Sequence, residues 1–229
     1  MNKEKMGKIN ILATVLLVIS VITLSITFSI GLPIYAREFY YIQITSLEIE
    51  DITGYDRETI IEGYDEVLDY LTRPGGSFSA GVFKFSESGA EHFKDCKSLF
   101  TLNAVIFVVS AVILCALLFL KRFWCVEFIS PLGFVPVFWS GAITLGVFSV
   151  LGILVSLDFD TAFVIFHSIF FPGKDNWLFN PYYDEIILAM PQDFFMHCAI
   201  LIGASVVFLS LLFVAFGVLT KIRARRRCS

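Results

Sequence analysis

Four stretches of this sequence are long and apolar enough to cross a lipid bilayer, and they constrain the fold more than any other feature. A transmembrane helix needs about 20 mostly apolar residues, and inside hydrocarbon only helices and closed barrels pair every backbone polar group. The chain is 57% hydrophobic, above the roughly half that is usual in soluble domains. We predict an α-helical integral membrane protein, a single membrane domain over 1–229, with four transmembrane helices at about 9–32, 99–120, 132–157 and 194–219.

The first apolar stretch follows the basic sequence MNKEKMGK, and a secretory signal peptide also begins with basic residues. The apolar part over 9–32 is longer than the about 7–15 residues that are typical of a signal peptide. We therefore expect this stretch to be kept as a membrane anchor.

The distribution of charge predicts how the chain is oriented in the membrane. The segments before the first span, between the second and third, and after the fourth carry ten basic residues and two acids. The two other connecting segments carry seven basic residues and nineteen acids. Basic segments stay on the cytoplasmic side. We therefore expect both termini in the cytoplasm and an extracytoplasmic cap formed by 33–98 and 158–193. The basic tail at 220–229 is expected to contact anionic lipids rather than nucleic acid.

The five cysteines favour neither a disulfide framework nor a metal site. Cys115 and Cys198 fall within predicted spans, Cys125 and Cys228 fall on the predicted cytoplasmic side, and no CxxC pair occurs. Cys96 lies outside the membrane, as either a small packing residue or a nucleophile. We predict no cofactor and no metal.

The first half of the cap is predicted to mix a strand with a helix. The stretch YYIQITSLEI is rich in β-branched and aromatic residues, which favours an extended strand. In DRETIIEGYDEVLDYL, apolar residues recur every three or four positions, which predicts an amphipathic helix that ends before Pro74. The cap is therefore expected to be small, mixed and acidic.

His92 lies in SESGAEHFKDC, just before the second span. Ser88 and Glu91 fit a capping box, which predicts a helix that starts there and continues into the membrane. At about 1.5 Å per residue, His92 would lie about 10 Å outside Leu99, in the headgroup region. Asp95 follows one turn later on the same face and could orient the imidazole and raise its basicity. An ordinary water-exposed histidine near the membrane is the alternative.

His167 lies in VIFHSIFF, among phenylalanines that recur at helical spacing. Aromatic residues are common at a membrane boundary, but burial of an unpaired imidazole is unfavourable. His167 therefore needs a partner, either a functional one or a backbone carbonyl. For His197, one turn into the last span, we expect packing or hydrogen bonding in preference to a place in the same site.

These residues lie in sequence motifs that resemble those of the lipoprotein intramolecular transacylase family, a group of four-span bacterial membrane proteins. The motifs are AEHFKDCKSLF before the second span and FHSIFF followed by W…NPYYDEII before the fourth, with a weaker match at GYDEVLDYL. The chain departs from the expected pattern at Cys96, where an aliphatic residue would follow the aspartate. The similarity in topology covers the whole chain.

The resemblance implies an acyltransferase that acts on a lipoprotein whose N-terminal cysteine carries a diacylglyceryl group. The free α-amine attacks the sn-2 ester of the same molecule, which gives a lyso-form lipoprotein. His92 and His167 are implied as the catalytic pair. We expect His167 to act as base and His92 as acid, with Asp95 orienting His92. The expected substrate-binding residues are Tyr70, Phe163, Phe170, Phe171, Trp177 and Tyr183.

The resemblance also implies partners and location. We expect the membrane-anchored diacyl lipoprotein and the phospholipid bilayer as partners, no nucleic acid, a monomer, and an active site at the outer leaflet of the bacterial cytoplasmic membrane. Two alternatives stay open from the residues alone. One is a metal-dependent membrane hydrolase with His92, Asp95 and His167 as ligands. The other is a non-enzymatic accessory or sensor protein.

Overall fold

The computed structural model describes residues 3–124 and 126–228, apart from the side chain of Cys228. Cys125, which was predicted on the cytoplasmic side, therefore lies outside the described residues. The helices are α1 (Lys3–Tyr35), α2 (Glu38–Ser46), α3 (Ile49–Thr53), α4 (Arg57–Thr72), α5 (Glu87–Phe123), α6 (Pro136–Leu157), α7 (Phe159–Phe170), α8 (Ile186–Ala189) and α9 (Gln192–Cys228), with a 3₁₀ turn at Pro131–Gly133.

Four of the described helices, α1, α5, α6 and α9, are long and apolar enough to span a membrane. Three of them contain the predicted spans in full, and α6 begins four residues after the predicted start of the third span at 132. The four helices confirm the helical membrane class. The 37 residues of α5 make a helix about 55 Å long, whereas the hydrocarbon core is about 30 Å thick. The first three turns of α5, which include His92 and carry several charges, therefore precede the apolar span that begins near Leu99.

The predicted strand over YYIQITSLEI is wrong, and no strand occurs within residues 3–124 and 126–228. These residues form most of α2, the turn that follows it and the first residue of α3. Tyr40 and Ile44 lie one helical turn apart and are both buried. The ring of Tyr40 stacks on that of Tyr64, and its hydroxyl donates to the carbonyl oxygen of Ala189 at 2.7 Å. Tertiary packing thus outweighs the β-propensity of the individual residues, and the described cap is helical rather than mixed.

Backbone contacts divide the chain into two compact units. The first comprises the described parts of 1–30, 104–153 and 202–229, and the second comprises 31–103 and 154–201. The first unit consists of packed apolar helices. The second contains α2, α3, α4, α7 and α8 with the adjoining ends of the long helices, and both buried histidines belong to it.

Small and hydroxyl-bearing residues pack the helices of the first unit. The hydroxyls of Thr23 in α1 and Ser110 in α5 are hydrogen-bonded at 2.7 Å. In α6, a Cβ added to Gly141 would lie 2.6 Å from the backbone oxygen of Ser210 and 2.8 Å from Cβ of Phe213, both in α9. Glycine therefore allows α6 and α9 to approach closely, as small residues do in membrane helices.

The amphipathic helix predicted in the cap is confirmed as α4. Asp56 caps it, because its carboxylate accepts the backbone N–H of Thr59 at 2.9 Å. The predicted apolar face is turned inward, and most of its members are buried: Ile60, Tyr64, Val67, Leu68 and Leu71. This face forms the core of the second unit, to which Phe83, Phe93, Ile186 and Phe194 also belong.

The start of α5 differs from the predicted capping box at Ser88 and Glu91. The helix begins at Glu87, and Ser86 caps it by accepting the backbone N–H of Gly89 at 2.9 Å. The buried carboxylate of Asp184 accepts the N–H of Ser86 at 2.8 Å. The cap lies two residues earlier than predicted because a carboxylate 98 positions further along the chain fixes this end of the helix.

We expect Gly141→Ala to destabilise the protein, because the added methyl group would overlap backbone atoms of α9. Overpacking of this kind typically costs about 1–3 kcal/mol. Gly146→Ala is the matched control in the same helix, since a Cβ there meets no atom of the described residues within 4 Å. The measurement is the midpoint of thermal unfolding in detergent. Equal midpoints for the two variants would contradict the close approach of α6 and α9.

Candidate active site

The two histidines singled out in the sequence lie side by side in the second unit. His92 is in the second turn of α5 and His167 is in the last turn of α7. Their ring centroids are 5.8 Å apart, and the residues are only 5% and 6% exposed. This spacing is short enough for one small group to contact both imidazoles.

His167 is enclosed by aromatic rings and bonded to its own helix. Trp177 stacks on its imidazole with centroids 4.4 Å apart, and the Phe163 ring lies 4.3 Å away. Nδ1 lies 2.8 Å from the carbonyl oxygen of Phe163. A carbonyl oxygen only accepts, so Nδ1 carries the hydrogen and neutral His167 has its lone pair on Nε2. Of the two kinds of partner that the sequence left open for His167, the backbone carbonyl is therefore present, and it leaves Nε2 free to take a proton.

His92 packs against Phe171 and Phe179, with ring centroids 4.8 Å and 5.5 Å away. Its Nε2 lies 3.4 Å from the sulfur of Cys96, one turn later in α5. Its Nδ1 is buried and has no well-aligned hydrogen-bond partner among the described residues. Phe171 also contacts His167, at 5.7 Å between ring centroids, so one phenylalanine borders both imidazoles.

Burial keeps both imidazoles neutral near pH 7. It lowers the pKa of His92 to about 4, with a further decrease from His167 and an opposite, smaller effect of Asp95. It also lowers the pKa of His167, against the hydrogen bond to Phe163. The expected rise in His92 basicity caused by Asp95 is thus outweighed by desolvation.

Cys96 has the properties of a neutral thiol rather than a nucleophile. Burial raises the pKa of its thiol to about 12, and Asp95 adds to the increase. A thiol attacks as the thiolate, so the nucleophile alternative has no support. As a weak donor, the Cys96 S–H group can point to Nε2 of His92.

The carboxylate of Asp95 binds the loop after α7. Lys174 Nζ lies 2.8 Å and 2.7 Å from its two oxygens, and Asn176 Nδ2 donates to one of them at 3.2 Å. Partial burial raises the pKa of Asp95, but these hydrogen bonds lower it by more, so the group is ionised. Asp95 therefore ties α5 to the segment that carries Phe171, Trp177 and Phe179.

The structure brings three of the predicted substrate-binding residues, Phe163, Phe171 and Trp177, into contact with the histidines. Tyr70 instead packs against Phe78 and beneath the ammonium group of Lys97. Phe170 packs on Phe166 and is 48% exposed, and Tyr183 is 67% exposed.

Sequence reasoning missed two neighbours of His92, Phe179 and Asn176. Phe179 follows Trp177 at a spacing of two, in the aromatic run after the PGKDN break, and this run is the signal that could have indicated it. Asn176 lies within the PGKDN break itself, where no helical or strand periodicity indicates which way a side chain faces. His197 has the hydrogen bond that was expected, from its Nδ1 to Oε1 of Gln43 at 2.7 Å.

Residues 3–124 and 126–228 contain no group of three or more histidine, cysteine, aspartate or glutamate side chains that is placed to hold a metal ion. In the hydrolase alternative, Asp95 would be the third ligand beside the two histidines. Its oxygens are instead occupied by Lys174 and Asn176, so this donor set does not fit a metal.

Comparison with known proteins identifies the family to which the chain belongs. The family model described as lipoprotein intramolecular transacylase Lit matches residues 15–195, most of the chain. The chain belongs to this family. It is accordingly an acyltransferase and a multi-pass membrane protein, and the accessory-protein and hydrolase alternatives are set aside.

Solved structures of a transacylase from Bacillus cereus share the fold. The membrane-integral lipoprotein intramolecular transacylase Lit of that organism superposes with a TM-score of 0.84 at 23% identity, covering 96% of this chain and 99% of that chain. A variant of it with a histidine replaced by arginine gives 0.78 at 22% identity, covering 97% and 96%. A variant with alanine in place of a histidine gives 0.79 at 22% identity, covering both chains fully. No curated protein sequence matches the chain significantly.

We expect acid to destabilise this transacylase through His92. An unfolded histidine has a pKa of about 6.5, whereas that of folded His92 is about 4. Between these values the unfolded state binds a proton that the folded state lacks, so the free energy of unfolding decreases as pH falls from about 6.5 to about 4. Above pH 6.5 the contribution is constant.

The measurement is the midpoint of thermal unfolding in detergent across this pH range. The His92→Gln variant should lose less stability than the unsubstituted protein between pH 6.5 and 4. Parallel curves for the two proteins would show that His92 is not buried in its neutral form.

Proposed function

We propose that this transacylase moves the sn-2 acyl chain of a diacylglyceryl-cysteine lipoprotein to the α-amine of the same cysteine, with His92 and His167 as the catalytic pair. The observation that carries the proposal is the pair of buried imidazoles, 5.8 Å apart between centroids, within a wall of aromatic rings. Nucleophile and electrophile arrive on one molecule, so the site has to supply proton transfer, positioning and protection from water.

The reaction requires two protons to leave the amine and one to reach the glyceryl oxygen. At neutral pH an α-amine with a pKa of about 8 is largely protonated, and the amide product keeps one N–H. One proton must leave before the nitrogen can attack, and a second leaves as the C–N bond forms. Two neutral imidazoles match this requirement, since each can accept one proton.

His167 is assigned as the base of the bond-forming step. Its Nε2 lone pair is free because Nδ1–H is bound to Phe163. As the nitrogen attacks the ester carbon, Nε2 takes the amine proton. Desolvation by the surrounding rings keeps His167 unprotonated until this step.

His92 is assigned as the acid. Nε2 of His92 takes the first proton from the substrate ammonium and later gives it to the glyceryl oxygen when the C–O bond breaks. The hydrogen bond from the same imidazolium stabilises the oxyanion of the tetrahedral intermediate. The proton held by His167 then returns to solvent, so the net reaction converts ammonium and ester to amide, alcohol and one proton.

The aromatic residues protect the acyl group from water. Phe163, Phe171 and Trp177 surround the imidazoles, and water admitted there would hydrolyse the ester instead of allowing transfer. The exposed Phe170 and Tyr183 and the half-buried Tyr70 are proposed to contact the substrate before it enters. These three remain candidates on the strength of their aromatic character.

The charge distribution supports a site at the outer leaflet. The connecting segments of the second unit are acidic, and the tail after 219 is basic. We propose both termini in the cytoplasm, the second unit outside, and a monomer acting on one membrane-anchored lipoprotein at a time. His92 near the start of the α5 span then meets the substrate at headgroup depth.

Replacement of either histidine by glutamine should lower transacylation by about 10²–10⁴-fold, the usual contribution of general acid–base catalysis. His197→Gln is the matched control, since its ring is bonded to Gln43 and not to the pair. The assay is mass spectrometry of the lipoprotein N-terminus after expression with a diacyl lipoprotein. An acyl chain that moves to nitrogen as fast in His92→Gln and His167→Gln as in the control would refute the mechanism.

Trp177→Ala should change the fate of the acyl chain by opening the space over His167. We expect the ratio of released fatty acid to N-acyl product to rise, because water gains access to the ester. Leu178→Ala, an exposed neighbour, is the control. The two products are measured in one reaction with purified protein in vesicles. An unchanged ratio in Trp177→Ala would show that this indole does not exclude water.

A further inference from the structure

Two buried polar atoms in the site have no well-aligned partner within residues 3–124 and 126–228, and they belong to neighbouring side chains. They are Nδ1 of His92 and Oδ1 of Asn176. Unpaired buried polar atoms are rare and costly in folded proteins. Asn176 bonds to Asp95, which lies one turn after His92 in α5, and the Asn176 side chain raises the pKa of the His92 imidazole. One contact between these two atoms would satisfy both.

Asp95 determines which way the Asn176 amide faces. An ionised carboxylate only accepts hydrogen bonds, so the group that Asn176 turns to Asp95 must be its NH₂, at 3.2 Å. The amide oxygen then points away from the carboxylate. Because an amide oxygen also only accepts, the atom it meets on His92 has to carry a hydrogen.

We propose that Asn176 is a positioning residue that accepts Nδ1–H of His92 and thereby keeps the Nε2 lone pair of His92 available to the substrate. The proposal deepens the function proposed above, on which it rests. It places the two histidines in the same tautomer by different means, a backbone carbonyl for His167 and a side-chain amide for His92.

Asn176 also links the imidazolium of His92 to the negative charge of Asp95 through two hydrogen bonds. When Nε2 takes a proton, the positive ring donates to an amide that in turn donates to the Asp95 carboxylate. The titratable groups around His92 are His167 and Lys174, which disfavour its charged form, Asp95, which favours it, and the neutral thiol of Cys96. Asn176 therefore offsets part of the desolvation that burial imposes.

The test uses the fact that the chain has only three histidines. In protein labelled with ¹⁵N-histidine and purified in detergent, imidazole nitrogen resonances report which nitrogen of each ring carries the hydrogen. His92→Gln identifies the His92 signals by their loss. We expect neutral His92 to be protonated at Nδ1 in the unsubstituted protein.

Asn176→Leu keeps the shape and removes the acceptor, so His92 should lose its fixed tautomer and its pKa should fall. The turnover number should drop about 10- to 100-fold, as for loss of one hydrogen bond to a charged group, with little change in KM. Asn176→Asp keeps an acceptor but loses the donor to Asp95. It should preserve the Nδ1–H tautomer and raise the pKa of His92 above that of the unsubstituted protein. Asp175→Asn, an exposed position in the same loop, is the control.

The alternative is that Asn176 only holds the loop to α5. In that case Asn176→Asp, which sets two carboxylates against each other, should be as damaging to the tautomer as Asn176→Leu. That result, or an unchanged tautomer in Asn176→Leu, overturns the proposal. If Asn176→Leu does not fold, the pKa shift in Asn176→Asp decides alone, with a rise in support and a fall against.

The experiments give different results if the proposed catalytic function is wrong and if only the role of Asn176 is wrong. If the tautomer of His92 depends on Asn176 while His92→Gln still transfers the acyl chain, the positioning contact stands and the catalytic role of His92 falls. If His92→Gln is inactive but Asn176→Leu leaves both tautomer and turnover unchanged, only the role of Asn176 is refuted.

Discussion

The Asp95 carboxylate accepts hydrogen bonds from Lys174 and from Asn176, and both donors lie in the loop that follows α7. This loop leads from Phe171, at the end of α7, to Trp177 and Phe179. Each of these rings contacts one or both imidazoles. The contacts of Asp95 with Lys174 and Asn176 thus hold a segment that contains Pro172 and Gly173 and that lies between helices.

His92 is subject to two opposed requirements, exclusion of water and the ability to accept a proton. A dry site protects the ester from water, but dryness lowers the pKa of an imidazole and weakens it as a proton acceptor. The ring of His92 is buried among phenylalanines, and its pKa falls to about 4. The nearby carboxylate acts in the opposite direction while its charge stays partly exposed. An arrangement of this kind keeps the imidazole neutral, as the proposed mechanism requires of a group that takes up a proton.

The sequence predicted the four apolar helices and α4, and it singled out His92 and His167, which lie side by side in the structure. Each of these predictions rests on a signal that is local in the chain. Apolar length, helical periodicity and an ionisable residue in an apolar context are all of this kind. The features that the sequence did not predict depend on contacts between residues that are far apart in the chain. Tyr40 joins a helix instead of a strand because Tyr64 and Ala189 receive its ring and hydroxyl. Asp184 determines where α5 begins. The position of Asn176 depends on its hydrogen bond to Asp95.

Cys96 shows how a departure from the expected family pattern can be accommodated at the site. An aliphatic side chain there would pack but offer no hydrogen to Nε2 of His92. The thiol, with its pKa raised to about 12, stays protonated and lies 3.4 Å from that nitrogen. A thiol is a weak donor, and a charged ammonium forms stronger hydrogen bonds. In the proposed mechanism, the substrate ammonium therefore replaces the thiol at Nε2 of His92.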